Sequence, residues 1–151
     1  MAESLNTIGF LARQFQQFAM AEEYFGQALK MREKLYPISR YPTGHPNLAT
    51  SLNNLALLYH ARAEYSKAEP LYRRALEMAE LYPASHYPTG HPNLATSLIN
   101  LADLYRVQAE YSKAEPLYRR ALEMREKLYP ASQYPTGHQE LATSLNNLAL
   151  L

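Results

Sequence analysis

His45-Pro-Asn-Leu-Ala-Thr-Ser-Leu-Asn-Asn-Leu-Ala-Leu-Leu-Tyr-His-Ala-Arg-Ala-Glu-Tyr-Ser-Lys-Ala-Glu-Pro-Leu-Tyr-Arg-Arg-Ala-Leu-Glu-Met78 returns as His91–Met124 with only five changes: Asn53/Ile99, Leu57/Asp103, His60/Arg106, Ala61/Val107 and Arg62/Gln108. Most of these changes are spaced three or four residues apart and so share one side of a helix. A constant scaffold with one varying stripe predicts a recognition surface, and not an active site. Outward from this block, the anchor Ser-Leu recurs at Ser4, Ser51, Ser97 and Ser144, a period of 46 or 47 residues. Periods of that length mark solenoids, whose units bury their apolar faces only against neighbours.

Each unit reads as two helices. The first opens at His45-Pro46 or His91-Pro92, where proline suits the first helical position. Leu48, Leu52, Leu55, Ala56 and Tyr59 then recur at helical spacing, as do Leu94, Leu98, Leu101, Ala102 and Tyr105. The second helix is predicted to open at Ser66 and Ser112, each with glutamate three residues later as in a capping box, and with Pro70 and Pro116 in the first turn. Tyr82-Pro83 should end it, since the residue before proline is pushed out of the α region. Alanines at 56 and 75 permit close helix approach beside Tyr59 and Tyr72. The predicted fold class is all-α, a right-handed α-solenoid of stacked antiparallel helix pairs. It forms a single array over 1–151, with units 1–47, 48–93 and 94–140 and a partial unit 141–151.

Composition narrows the function classes. Hydrophobic residues make up 47% and charged residues 19%, which supports a folded core. A net charge of +1 gives no reason to expect nucleic acid or an anionic membrane. The absence of cysteine excludes disulfides and thiolate metal sites. No apolar run spans a membrane, and Met1-Ala-Glu-Ser lacks the features of an export signal, so a cytoplasmic location is the default expectation.

These residues resemble the tetratricopeptide repeat. Leu52, Leu55-Ala56, Tyr59, Ala68, Tyr72 and Ala75 carry the pattern in the second unit; Leu98, Leu101-Ala102, Tyr105, Ala114, Tyr118 and Ala121 carry it in the third. Leu5, Ile8-Gly9, Ala12, Ala21, Phe25 and Ala28 form a looser first unit, in which Phe15 and Phe18 stand in for the tyrosine missing at Ala12, unless this is an edge unit. The His-Pro opening, Leu-Asn-Asn-Leu-Ala-Leu-Leu-Tyr and Ala-Glu-Pro-Leu-Tyr-Arg-Arg-Ala-Leu are similar to the kinesin light chain subgroup, here with units longer than its usual repeat. The resemblance implies a superhelix whose inner groove is lined by the first helix of each pair. By register, the groove candidates are Asn6, Phe10, Arg13, Asn53, Asn54, Leu57, His60, Ile99, Asn100, Asp103, Arg106 and Asn147. Asn54, Asn100 and Asn147 resemble the asparagine ladder that holds an extended peptide in related superhelices. An amide offers both a donor and an acceptor to a peptide group.

A second stripe is the linker Tyr36-Pro-Ile-Ser-Arg-Tyr-Pro-Thr-Gly-His45, repeated from Tyr82 and from Tyr129. Its tyrosines (Tyr36, Tyr41, Tyr82, Tyr87, Tyr129 and Tyr134) either form a contact edge or fold back to cap their own helix ends, glycine making the turn; the second is favoured. His45, His91 and His138 recur once per unit, roughly two helix diameters apart, too far to share a metal. No nucleophile elbow, zinc-protease motif or phosphate loop occurs. Neither catalysis, a cofactor nor a metal is expected. The expected function is a non-catalytic scaffold that binds a protein or an extended peptide in the groove. The alternatives are a homo-oligomer or filament built through the repeat ends, or a segment of a longer array.

Overall fold

Histidine is an unusual residue at a helix N-terminus, yet among the described residues it starts two of the helices. In the computed structural model, which describes residues 1–82 and 92–151, His45 has extended backbone angles and its Nδ1 accepts from Asn47 N at 3.2 Å. His138 does the same for Glu140 N, also at 3.2 Å. An acceptor at the N-cap satisfies one of the unpaired N–H groups of the first turn, and Pro46 follows where no N–H is needed. Among the described residues seven helices result: α1 (Ala2–Gln14), α2 (Phe18–Leu35), α3 (Pro46–Ala61), α4 (Tyr65–Glu80), α5 (Pro92–Val107), α6 (Tyr111–Leu128) and α7 (Gln139–Ala149). The fold is an all-α helical repeat. Contacts divide it into two units, Met1–Leu81 with α1 to α4 and Tyr82–Leu151 with α5 to α7.

The second helix of each pair begins differently from the capping-box expectation. α4 and α6 start at Tyr65 and Tyr111, with Glu64 and Glu110 at the N-cap and no side-chain cap bond. The cause is the turn before them. Ala63 and Ala109 adopt φ of 57° and 59°. Glu64 N returns to Tyr59 O at 2.9 Å and Ala63 N to His60 O at 2.9 Å, the bond pattern of a Schellman motif. The equivalents Glu110 N to Tyr105 O and Ala109 N to Arg106 O measure 2.8 and 3.0 Å, and Gln16 (φ 58°) closes α1 in the same way. The turn is so short that the residue after the left-handed position is already the next N-cap. Ser66 therefore lies inside α4, and Pro70 falls in the second turn rather than the first.

The core follows the expected stripes. In the first unit, Leu48, Ala49 and Leu52 of α3 cluster with Ala75, flanked by Leu29, Leu71 and Met78. Ala12, Ala21 and Phe25 cluster with Leu55 and Leu58, flanked by Phe18 and Tyr59. A Cβ at Gly9 would sit 2.8 Å from the Phe25 ring, so α1 and α2 touch at a position that requires glycine. Of the two phenylalanines proposed to replace the tyrosine missing at Ala12, Phe18 joins the core while Phe15 stays 75% exposed.

Candidate binding surface

A buried arginine joins α2 to α3, and another joins α6 to α7. Arg32, at the end of α2 and 5% exposed, donates through Nη1 to Asn47 O at 2.6 Å and to Ser51 Oγ at 2.9 Å in α3. With its amide oxygen turned toward α2, Asn6 accepts from the same guanidinium at 3.0 and 3.2 Å. Arg125 of α6 repeats the arrangement on α7, donating to Glu140 O and Ser144 Oγ at 2.8 and 2.9 Å and pairing with the Glu140 carboxylate. A serine that is fully buried in three units is thus the acceptor of this arginine in two of them. Its function was not legible from the sequence, where Ser51 and Ser144 served only as register marks.

The linkers at 36–45 and 129–138 fold onto their own helix starts. Tyr36 stacks on His45 with ring centroids 3.6 Å apart and planes at 5°, and Tyr41 stands edge-on to both. Tyr129, His138 and Tyr134 reproduce this, again with a 3.6 Å stack. Arg40 N and Tyr41 N both bond to Pro37 O at 2.9 Å, and Gly44 turns at φ 77° where a Cβ would strike Met78 at 2.8 Å. The rings of Tyr36, Tyr41, Tyr129 and Tyr134 therefore pack within their own linkers. Tyr82 is half-buried, and Tyr87 lies outside the described residues. Burial, and to a lesser degree the nearby Arg32 charge, lowers the His45 pKa, which keeps Nδ1 free to accept from the helix. Beside this linker lies a cleft of ≈ 420 Å³, lined by Tyr36, Ile38, Tyr41, Leu48, Met78 and Leu81. The Glu33–Arg74 pair (2.9 Å) lies on its rim.

The predicted groove set separates into several groups. Asn53 and Ile99 are 6% and 7% exposed, so they are interior residues and not ligand contacts. Asn6 is drawn to Arg32, as above. Phe10 is 47% exposed and lies beneath the Arg13 guanidinium, 5.2 Å from the ring centroid. Asp103 accepts from Tyr118 Oη at 2.5 Å, with Arg106 Nε 3.7 Å from the same carboxylate oxygen. Burial, then this hydrogen bond to a carboxylate, raises the Tyr118 pKa. In α4 the matching tyrosine, Tyr72, makes a T-shaped contact with His60 at 6.3 Å, where Leu57 replaces the aspartate and is half-buried. Two of the five differences between the repeats thus exchange one setting of the second-helix tyrosine for another. A third is buried. The varying stripe is only partly a surface.

Asn54, Asn100 and Asn147 remain half-buried at one register of α3, α5 and α7. Asn100 Nδ2 has no hydrogen-bond partner among the described residues. The neighbouring threonines are satisfied internally: Thr50 and Thr143 each donate to the carbonyl four residues earlier at 3.0 Å. No group of three His, Asp or Glu residues that could hold a metal occurs among the described residues. No described helix is long and apolar enough to cross a membrane.

Sequence patterns of the tetratricopeptide repeat match residues 1–47, 38–80 and 86–127. The chain belongs to the tetratricopeptide repeat family. Structures of kinesin light chain-like repeats share its fold. The crystal structure of BtubC (BKLC) from P. vanneervenii is 25% identical, covering 84% of this chain and 47% of that one, with a TM-score of 0.72. A putative kinesin light chain of P. anserina with nearly identical TPR-like repeats is 20% identical over 97% of this chain and 63% of that one, with a TM-score of 0.77. The TPR2AB domain of yeast Sti1, solved in a pHSP90 complex, is 17% identical over 99% of this chain and 48% of that one, with a TM-score of 0.62. The tetratricopeptide chain therefore spans between about half and two thirds of these structures. No curated protein sequence matches it.

Proposed function

We propose that the chain is a non-catalytic protein-interaction scaffold that holds an extended peptide or partner segment along the first helices of its pairs. One observation carries this reading: the asparagines at one register of α3 and α5 stay half-exposed between buried neighbours, and the Asn100 amide nitrogen has no hydrogen-bond partner among the described residues. A buried polar group without a partner is costly, and a peptide carbonyl is an acceptor that would satisfy it. Phe10 and Arg13 extend the surface on α1 with an apolar ring and a cation. Leu57, His60, Asp103 and Arg106 contribute indirectly, by setting the polarity beside Tyr72 and Tyr118. The Sti1 neighbour, solved in a pHSP90 complex, supports partner binding by this fold.

The test is Asn54→Ala combined with Asn100→Ala, measured against a library of extended peptides. Peptide binding should be lost while helicity and melting are retained. Unchanged affinity for a peptide that binds the unmodified chain would remove the asparagines from the site.

A further inference from the structure

Two departures from the repeat meet at the cleft beside the first linker. Ile38 stands where the other linkers carry Ala84 and Ala131. Met78 leads to Ala79-Glu80-Leu81, where Met31 and Met124 lead to Arg-Glu-Lys-Leu. Ile38, Met78 and Leu81 all line the cleft, whose ≈ 420 Å³ falls in the range that encloses small ligands. Ile38 is 79% exposed and Leu81 55%, so both apolar side chains would gain by being covered. The walls are already fixed. A Cβ at Gly44 would lie 2.8 Å from Met78, so the linker backbone is pressed against α4, and Tyr36 and Tyr41 are held by their contacts with His45. A preformed apolar wall loses little freedom on binding. The polar edge is unbalanced. Glu33 and Arg74 pair at 2.9 Å, which leaves the Glu77 carboxylate as the lining charge with no ion pair among the described residues. Arg40 lies 6.0 Å from the Tyr41 ring centroid and is not part of the lining.

We propose that this cleft is a second binding site, which takes one bulky apolar side chain of a partner segment with a lysine or arginine beside it. The apolar group packs on Leu48, Met78 and the tyrosine rings, Ile38 and Leu81 cover it, and the neighbouring cation pairs with Glu77. A glutamate in the cation's place meets carboxylates instead and is rejected, so charge sets the preference. No lining residue belongs to the asparagine register, so the two sites stand or fall separately.

The experiment is a methyl NMR titration of the full chain with the peptide acetyl-Gly-Trp-Lys-Gly-amide. Saturable shifts of the Ile38 and Met78 methyl groups are expected. The glutamate version of the peptide should bind about fivefold more weakly, because attraction to a rim carboxylate becomes repulsion. Glu77→Gln should bring the two affinities within about twofold of each other. Ile38→Ala, which restores the residue of the other linkers, should weaken both peptides by about fivefold. That side chain is mostly exposed, so the variant should keep its melting temperature. Asn54→Ala with Asn100→Ala should leave the shifts unchanged, which separates the cleft from the groove. Absence of saturation, equal binding of the two peptides to the unmodified chain, unchanged affinity in Ile38→Ala, or loss of the shifts on changing the asparagines would each overturn the proposal. So would tryptamine binding as tightly as the lysine peptide, which would make the occupant a free aromatic amine. A concentration-dependent rise above 17.3 kDa that Ile38→Asp abolishes would likewise overturn it, with a second copy as the occupant.

Discussion

Removing the Arg32 guanidinium tests how the repeats are joined. Arg32→Ala deletes charge-assisted bonds to Asn47 O and Ser51 Oγ at 2.6 and 2.9 Å, in a site where the arginine is only 5% exposed. Each such bond contributes about 1.5–3 kcal/mol. Two effects reduce the sum. Burial of the cation is itself unfavourable, as the lowered Arg32 pKa, caused chiefly by desolvation, indicates. Once the arginine is gone, the Ser51 hydroxyl can also donate to Asn47 O one turn earlier, as serines in helices commonly do. The net loss should be about 2–4 kcal/mol, or roughly 5–15 °C in Tm for a chain of this size. Ser51→Ala should cost less, about 1–2 kcal/mol, because the guanidinium keeps the Asn47 carbonyl. The double variant should be less destabilised than the sum by at least about 1 kcal/mol, well beyond the error of additivity between uncoupled sites. Urea unfolding of the four proteins of the cycle provides the measurement. A single-variant loss under about 1 kcal/mol, or strict additivity, would refute the claim that this arginine holds α2 to α3.

Ala63→Gly together with Ala109→Gly should raise stability by about 0.5–1 kcal/mol per site, since both alanines occupy left-handed backbone that glycine enters freely; thermal melting reads this, and a fall in Tm would contradict it. The folded His45 pKa is lowered below 6.5 while the unfolded one is not, so the unfolded state binds more protons at acidic pH. That part of the stability is present above pH 6.5 and is lost as pH falls through 6.5 toward the folded value; His45→Asn, which keeps a capping acceptor, should flatten this segment of the urea-midpoint profile. Tyr118→Phe should destabilise the chain by about 1–2 kcal/mol by leaving the Asp103 carboxylate without its hydroxyl donor, and adding Asp103→Leu should restore most of the loss in urea unfolding.

The sequence by itself determined the helix pairs, their core stripes and their family. Leu48, Leu52, Leu55, Ala68, Tyr72 and Ala75 recur at helical spacing, and a period-3.6 stripe leaves few other ways to bury them. The His-Pro starts were legible too, because proline fixes the first turn. The start of α4 was not. Sequence offered Ser66 as a cap, whereas the left-handed Ala63 closed α3 and made Glu64 the N-cap, a backbone event with no glycine to announce it. The candidate surface was legible only as a register. Spacing places Asn53 and Asn54 on one side of a helix, but contacts made by distant residues decided that Asn53 is interior while Asn54 is not. Arg32, Ser51 and Asn6 lie up to 45 residues apart and meet at one guanidinium. Tyr118 and Asp103, 15 residues apart, do the same at one hydroxyl. Periodicity is a local property and can be read from one strand of text; which polar groups share a buried site depends on how helices pack, and that is fixed only in three dimensions.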